Sequence, residues 1–114
     1  MNHNQKTGIE GEAAAENFYR QLGFTTLAKN YRVREGELDL VVQRAGLLLF
    51  VEVKARAENW EQHAWAPGWQ GKKRKLHAAI RRFQLEHKEL IFSESRLEVI
   101  FITQGRVAAR FERI

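Results

Sequence analysis

Asp39, Glu52 and Lys54 are the side chains whose types and spacing point most directly to chemistry. They lie within residues 35–56, Glu-Gly-Glu-Leu-Asp-Leu-Val-Val-Gln-Arg-Ala-Gly-Leu-Leu-Leu-Phe-Val-Glu-Val-Lys-Ala-Arg. Two carboxylates on neighbouring strands offer the oxygen ligands that a hard cation such as Mg²⁺ or Mn²⁺ prefers, and the backbone carbonyl of Val53 adds a third. Lys54 faces the same pocket. Its ammonium can position or deprotonate an attacking water and offset charge that builds up on a scissile phosphate. Glu12, upstream in a predicted helix, extends the acidic set. Without a cation, crowded carboxylates raise one another's pKa; with one, the same crowding becomes affinity. The competing reading is an ion-paired strand surface, where a cross-strand pair contributes at most about 1 kcal/mol.

These side chains need a frame. Two runs rich in Leu and Val flank Arg44-Ala45-Gly46, which predicts a strand, a turn and a second strand. Period-two alternation puts Glu37 and Asp39 on one face, opposite Leu38, Leu40 and Val42. In the second strand it groups Glu52 with Lys54, opposite Val51, Val53 and Ala55. Residues 8–22 read as a helix with an apolar stripe of Ala15, Phe18, Tyr19 and Leu22, closed by a left-handed cap at Gly23. Glu12 borders that stripe, and Glu16 with Arg20 at i, i+4 reads as an ordinary surface pair. Gly8 and Gly11 either permit close backbone packing or leave the first turn loose. A first strand follows within 24–34. After a loop over 57–71, a second helix runs from 71 to 88 with Leu76, Ala79, Ile80, Phe83 and His87 at helical spacing. Lys72 and Lys73 fall on its buried side, while Arg81 and Arg82 point outward. Leu97 to Ile102 reads as a strand covered on both faces, and a turn at Gln104-Gly105 leads to a closing strand over 106–112.

Composition narrows the class. The 114 residues are expected to form a single domain, 1–114, with one sizeable core. There is no cysteine, which excludes disulfides and thiolate zinc sites and suits a reducing compartment. The start is polar, without the apolar segment of a signal peptide, and no apolar run approaches the roughly 18 residues of a membrane span. A soluble cytoplasmic protein without a membrane partner is the expectation. Net charge is +5, but residues 72–88 hold seven basic residues (Lys72, Lys73, Arg74, Lys75, Arg81, Arg82, Lys88) against Glu86 alone. A basic segment beside a carboxylate cluster fits a partner rich in phosphates; the plain alternative is a solvated helix face. Asp39 is the only aspartate among fourteen acidic residues. The shorter carboxylate has thus been placed inside a strand, where Asp is disfavoured.

Three motifs together carry a resemblance. Gly8-x-x-Gly11-Glu12-x-x-Ala15, Gly36-Glu37-Leu38-Asp39-Leu40 and Phe50-Val51-Glu52-Val53-Lys54-x-Arg56 resemble the bacterial YraN family of the PD-(D/E)xK endonuclease-like superfamily. Archaeal Holliday-junction resolvases are similar in layout. The resemblance implies an α/β fold with a restriction-endonuclease-like αβββαβ core around a mixed sheet, and Glu12, Asp39, Glu52 and Lys54 as the active-site set. It implies a metal-dependent nuclease acting on DNA, branched or structured DNA included, and a homodimer. The alternative is a catalytically silent module that binds nucleic acid or protein on the same fold. Leu38 stands where the superfamily's name puts proline, as is usual in this family. Glu98 replaces an expected Asp, which touches only a supporting role there. The register of Lys72 against Lys73 is left open by the less regular stretch from Trp69.

Other residues have plainer readings. Arg56, Lys72, Lys73 and Arg74 are candidate phosphate contacts or ordinary surface charges. Glu37 is expected to be partly exposed. Trp60, Trp65 and Trp69 either stack bases or, as the burial preference of Trp favours, close the core. His63, His77 and His87 are too scattered for zinc; His87 is expected to be a hydrogen-bonded core histidine.

Overall fold

The computed structural model describes the backbone of residues 3–55 and 69–113, and the side chains of 8–55 and 73–112. Arg56, Trp60, His63, Trp65 and Pro67 lie outside these residues, as do the side chains of Trp69 and Lys72. In chain order come α1 (His3–Gln21), β1 (Thr25–Val33), β2 (Gly36–Arg44), β3 (Leu47–Ala55), α2 (Trp69–Glu86), β4 (Glu94–Thr103) and β5 (Arg106–Arg113). The five strands form one sheet in sequence order. β3 and β4 run parallel, with α2 in the connection between them; all other neighbours are antiparallel. This is the expected αβββαβ order around a mixed sheet, extended by β5. Among the described residues no helix is long and apolar enough to cross a membrane.

Local signals account for most boundaries. Gly23 has φ 90°, and its N–H donates to Arg20 O at 2.9 Å while Phe24 N–H donates to Tyr19 O at 3.0 Å. That bond pair is a Schellman cap, completed by the edge-on contact of Tyr19 and Phe24 at 5.6 Å. Ala45 (φ 47°) and Gly46 (φ 84°) form the β2–β3 turn, and Gln104 (φ 52°) and Gly105 (φ 74°) the β4–β5 turn; two successive left-handed residues give the turn that matches strand twist. α1 starts at His3 rather than at residue 8; its first turns are polar and carry no amphipathic period, so periodicity does not register them. Leu22, counted in the apolar stripe, is 40% exposed, since the cap turns it off the helix.

Each sheet face is covered by one helix. Ala15 and Tyr19 of α1 pack on Leu40, Val42, Leu49, Val51, Ile100 and Ile102. Leu76, Ala79, Ile80 and Phe83 of α2 pack on Leu38, Val41, Leu48, Phe50 and Leu97. Phe83 meets Phe50 and Tyr31 edge-on at 5.8 and 5.3 Å, contacts of about 0.5–1.5 kcal/mol each beyond area burial. His87 stacks on Phe83 at 4.0 Å and its Nδ1 lies 2.8 Å from Phe83 O, so it is the hydrogen-bonded histidine that its position on the apolar face predicted.

Candidate active site at the open end of the β2–β3 hairpin

The β2–β3 ladder runs without interruption from Arg44↔Leu47 to Leu40↔Val51 and ends there. At the next position the Val53 N–H donates not to a backbone carbonyl but to Asp39 Oδ2, at 2.8 Å. A strand donor must find an acceptor, and a short carboxylate at the point of divergence supplies one. The alternation of β2 breaks at the same residue: Leu38 packs with the α2 cluster and Leu40 with the α1 cluster. The expectation that Leu38, Leu40 and Val42 share a face is therefore corrected. Opposite this point in β1, Asn30 adopts a left-handed φ of 51°.

Two glycines bring both helices to this open end. A Cβ on Gly11 would lie 2.9 Å from Ala55 Cβ, and one on Gly36 would lie 2.6 Å from the backbone oxygen of Lys75. Gly11 thus seats the N-terminal half of α1 on the end of β3, and Gly36 seats that of α2 on the start of β2. Of the two readings for the α1 glycines, close packing holds for Gly11; around Gly8 there is open space.

Glu12, next to Gly11, shares a cleft of about 210 Å³ with Asp39, Glu16 and Lys29. Burial pushes the Asp39 carboxyl up, the Val53 N–H pulls it down, and the negative charges of Glu12, Glu52 and Glu37 push it up again, to about 6. Glu52 is buried and its Oε1 lies 3.1 Å from Lys54 Nζ, whose side chain is 37% exposed. Leu48 and Phe50 pack against α2, so alternation places Glu52 and Lys54 toward that same face. Lys73 is half-buried and Arg74 exposed near the start of α2. Glu37 is exposed and pairs with Arg32 at 3.2 Å, as expected of a surface carboxylate.

Among the described residues, no three His, Cys, Asp or Glu side chains come close enough together to form a metal-binding group. A Mg²⁺ site, however, commonly uses one or two carboxylates and takes its other oxygens from water and phosphate. Burial is the main cause of the raised Asp39 pKa, and the charges of Glu12, Glu52 and Glu37 add to it; a divalent ion at this carboxylate would favour its charged form. In the cleft the carboxylates that fit such an ion are those of Asp39 and Glu12. Glu52 and Lys54 are not among its described lining residues and alternate toward the α2 face, so the expectation that Lys54 faces the same pocket is corrected.

A model of the uncharacterised protein family UPF0102 matches residues 11–102, a span that contains Glu12, Asp39, Glu52 and Lys54. The chain belongs to this family. It is the family that the three motifs pointed to. Relatives include UPF0102 proteins from Synechococcus sp., 37% identical over 88% of this chain and 77% of the relative, and from Saccharophagus degradans, 34% identical over 92% and 88%. A third, from Desulforapulum autotrophicum, is 34% identical over 99% and 93%.

Two features of this UPF0102 chain escaped the reading from sequence. Glu16 is not a surface partner of Arg20: it is buried at 8% exposure, with Arg20 at 2.9 Å and Lys29 at 3.3 Å. Burial pushes its carboxyl up, but the side chains of Thr26 and Lys29 as hydrogen-bond donors, with the charges of Arg20 and Lys29, outweigh this and hold it below its usual value. Glu98 accepts a hydrogen bond from the Tyr19 hydroxyl at 2.8 Å and pairs with Arg110 at 3.3 Å, tying α1 to β4 and β5. Spacing carried both signals: Glu16 lies four residues past Glu12 and three before Tyr19, and Glu98 shares a strand face with Ile100 and Ile102.

Proposed function

We propose that this protein is a divalent-metal-dependent nuclease that hydrolyses phosphodiester bonds in DNA, with branched or structured DNA as the expected substrate. The observation that supports it best is the seating of Asp39. A carboxylate is fixed by a strand N–H at the break in the ladder, facing Glu12 across a cleft and within the field of Glu52. Asp39, with Glu12 in the same cleft and Glu52 on the neighbouring strand, would hold Mg²⁺ or Mn²⁺, which would supply Lewis acidity and a more acidic water. Lys54, half-exposed beside buried Glu52, offsets charge gathering on the scissile phosphate and donates hydrogen bonds to the nucleophile or to a phosphate oxygen. Glu52 holds that ammonium in place. Lys73 and Arg74, together with Arg56 and Lys72, add positive charge for the flanking backbone. The expected products carry 5′-phosphate and 3′-hydroxyl ends.

The second reading is a binding module on the same fold, in which the Glu52–Lys54 pair at 3.1 Å is a structural ion pair. Branched, single-stranded and duplex DNAs incubated with Mg²⁺ or Mn²⁺ discriminate the two. Cleavage that disappears in Asp39→Asn and in Lys54→Ala, with circular dichroism unchanged, supports the nuclease. Salt-dependent binding with no metal-dependent product in any of the DNAs supports the module.

A further inference from the structure

The basic segment of α2 has two flanks, and only one is open to a polyanion. Lys75, Arg82 and Glu86 lean toward β1 and the start of β2. Lys75 shares a cleft with Arg32, Val33, Gly36 and Glu37, Glu86 accepts a hydrogen bond from the Tyr31 hydroxyl, and Arg82 pairs with Glu86 at 3.3 Å. The other flank, Lys73, His77 and Arg81, lines a groove of about 630 Å³ with Arg74, Gln84 and Ile80. No acidic side chain is among the described residues that line it. Lys73, His77 and Arg81 recur at i, i+4 and i+8, in steps of about 6 Å along the axis, comparable with the separation of successive phosphates on one strand.

Direction matters as much as charge. The contact of Gly36 with Lys75 puts the start of α2 at the open end of the hairpin, and Glu52 and Lys54 lie toward the sheet face that α2 covers. Lys73 is therefore the end of the row nearest the candidate site, and Arg81 the far end. The flank that bears Lys75 and Arg82 is turned to the opposite side, and Arg82 already has a carboxylate partner.

We propose that the Lys73–His77–Arg81 flank of α2 is a phosphate track, seating the backbone of a nucleic-acid strand that leaves the candidate site. It deepens the nuclease reading and rests on that reading's nucleic-acid partner. Lys73 and Arg81 each neutralise one phosphate and release counterions. His77 contributes a ring N–H donor between them. Of the basic residues in this segment, Lys75 and Arg82 stay off the track.

The test is equilibrium binding of the full chain to a branched DNA and to a matched duplex, in EDTA, across a salt series. The Lys73→Gln/Arg81→Gln double variant is expected to weaken binding and to lower the slope of log K against log salt by about two. The Lys75→Gln/Arg82→Gln variant removes the same formal charge and is expected to change the slope by less than half as much. Equal loss from both pairs, or none from the first, overturns the track while the nucleic-acid partner stands. If the chain shows no salt-dependent DNA binding, the nuclease reading fails and the track fails with it. Binding to vesicles of anionic lipid in place of DNA, lost in the Lys73/Arg81 variant, would assign this flank to a membrane surface and overturn the proposal.

Discussion

The two ends of the β2–β3 hairpin are built from the same two strands to opposite purposes. At the closed end the ladder is continuous, and Gly46 O accepts the N–H of Ser93 at 2.8 Å and of Glu94 at 3.2 Å. At the open end the ladder stops at Leu40↔Val51, and a carboxylate replaces a carbonyl as acceptor for Val53. That carboxylate sits among three others whose charges oppose its ionisation. One end is held by ordinary backbone hydrogen bonds; the other keeps a partly buried carboxylate whose ionisation burial and neighbouring charges oppose. The difference teaches where to look for function: in the region whose groups would be more stable if changed.

Mutations at the two ends should therefore separate stability from activity. The largest expected effect is on turnover. If the nuclease reading holds, Asp39→Asn lowers the cleavage rate by about 10²–10⁴-fold, within the range for loss of a positioned charge or proton-transfer group. The same variant should raise stability. The folded Asp39 titrates near 6 rather than near 3.8, so the folded form binds more protons across that interval. Stability then falls as pH rises from about 4 to about 6 and stays at the lower level above it. Asn removes the charge and keeps an oxygen for the Val53 N–H, so in EDTA at pH 7 the variant should gain about 2 kcal/mol by urea titration, with the pH 4–6 slope reduced. A variant less stable than wild type at pH 7 would break the comparison.

Gly36→Ala should cost about 1–3 kcal/mol, because the backbone oxygen of Lys75 at 2.6 Å cannot turn aside. Gly11→Ala should cost less, since its obstacle is one methyl group and alanine recovers about 1 kcal/mol of helix propensity. Chemical denaturation of both variants gives the order. At the closed end, Gly46→Ala places a Cβ on a residue with φ 84° and should cost about 1–2 kcal/mol, with cleavage per folded molecule unchanged. If the metal reading holds, Mg²⁺ at ten times Kd should stabilise the wild type by about 1.4 kcal/mol, read as a higher melting temperature, and leave Asp39→Asn unchanged. The smallest effect belongs to Arg32→Ala, which removes an exposed pair with Glu37 and should shift stability by less than about 0.5 kcal/mol.

What could be read from the chain alone was whatever depends on neighbours in sequence. The hairpin turn at Ala45-Gly46, the cap at Gly23, the apolar stripe of α2 and the covered strand from Leu97 to Ile102 follow from turn chemistry and periodicity. The set Glu12, Asp39, Glu52 and Lys54 was legible in another way, as what the resemblance of the three motifs to a family implies. Tertiary structure alone decided where the regular pattern gives way. β2 leaves β3 at Asp39, which sends Leu38 and Leu40 to different helices. Glu16 becomes buried because Lys29 arrives from β1, and Glu98 gains Tyr19 from α1 and Arg110 from β5. Periodicity reports which side of its own element a residue occupies. It carries no information about the partner that another element delivers there, and for a charged side chain that partner determines whether burial is tolerated.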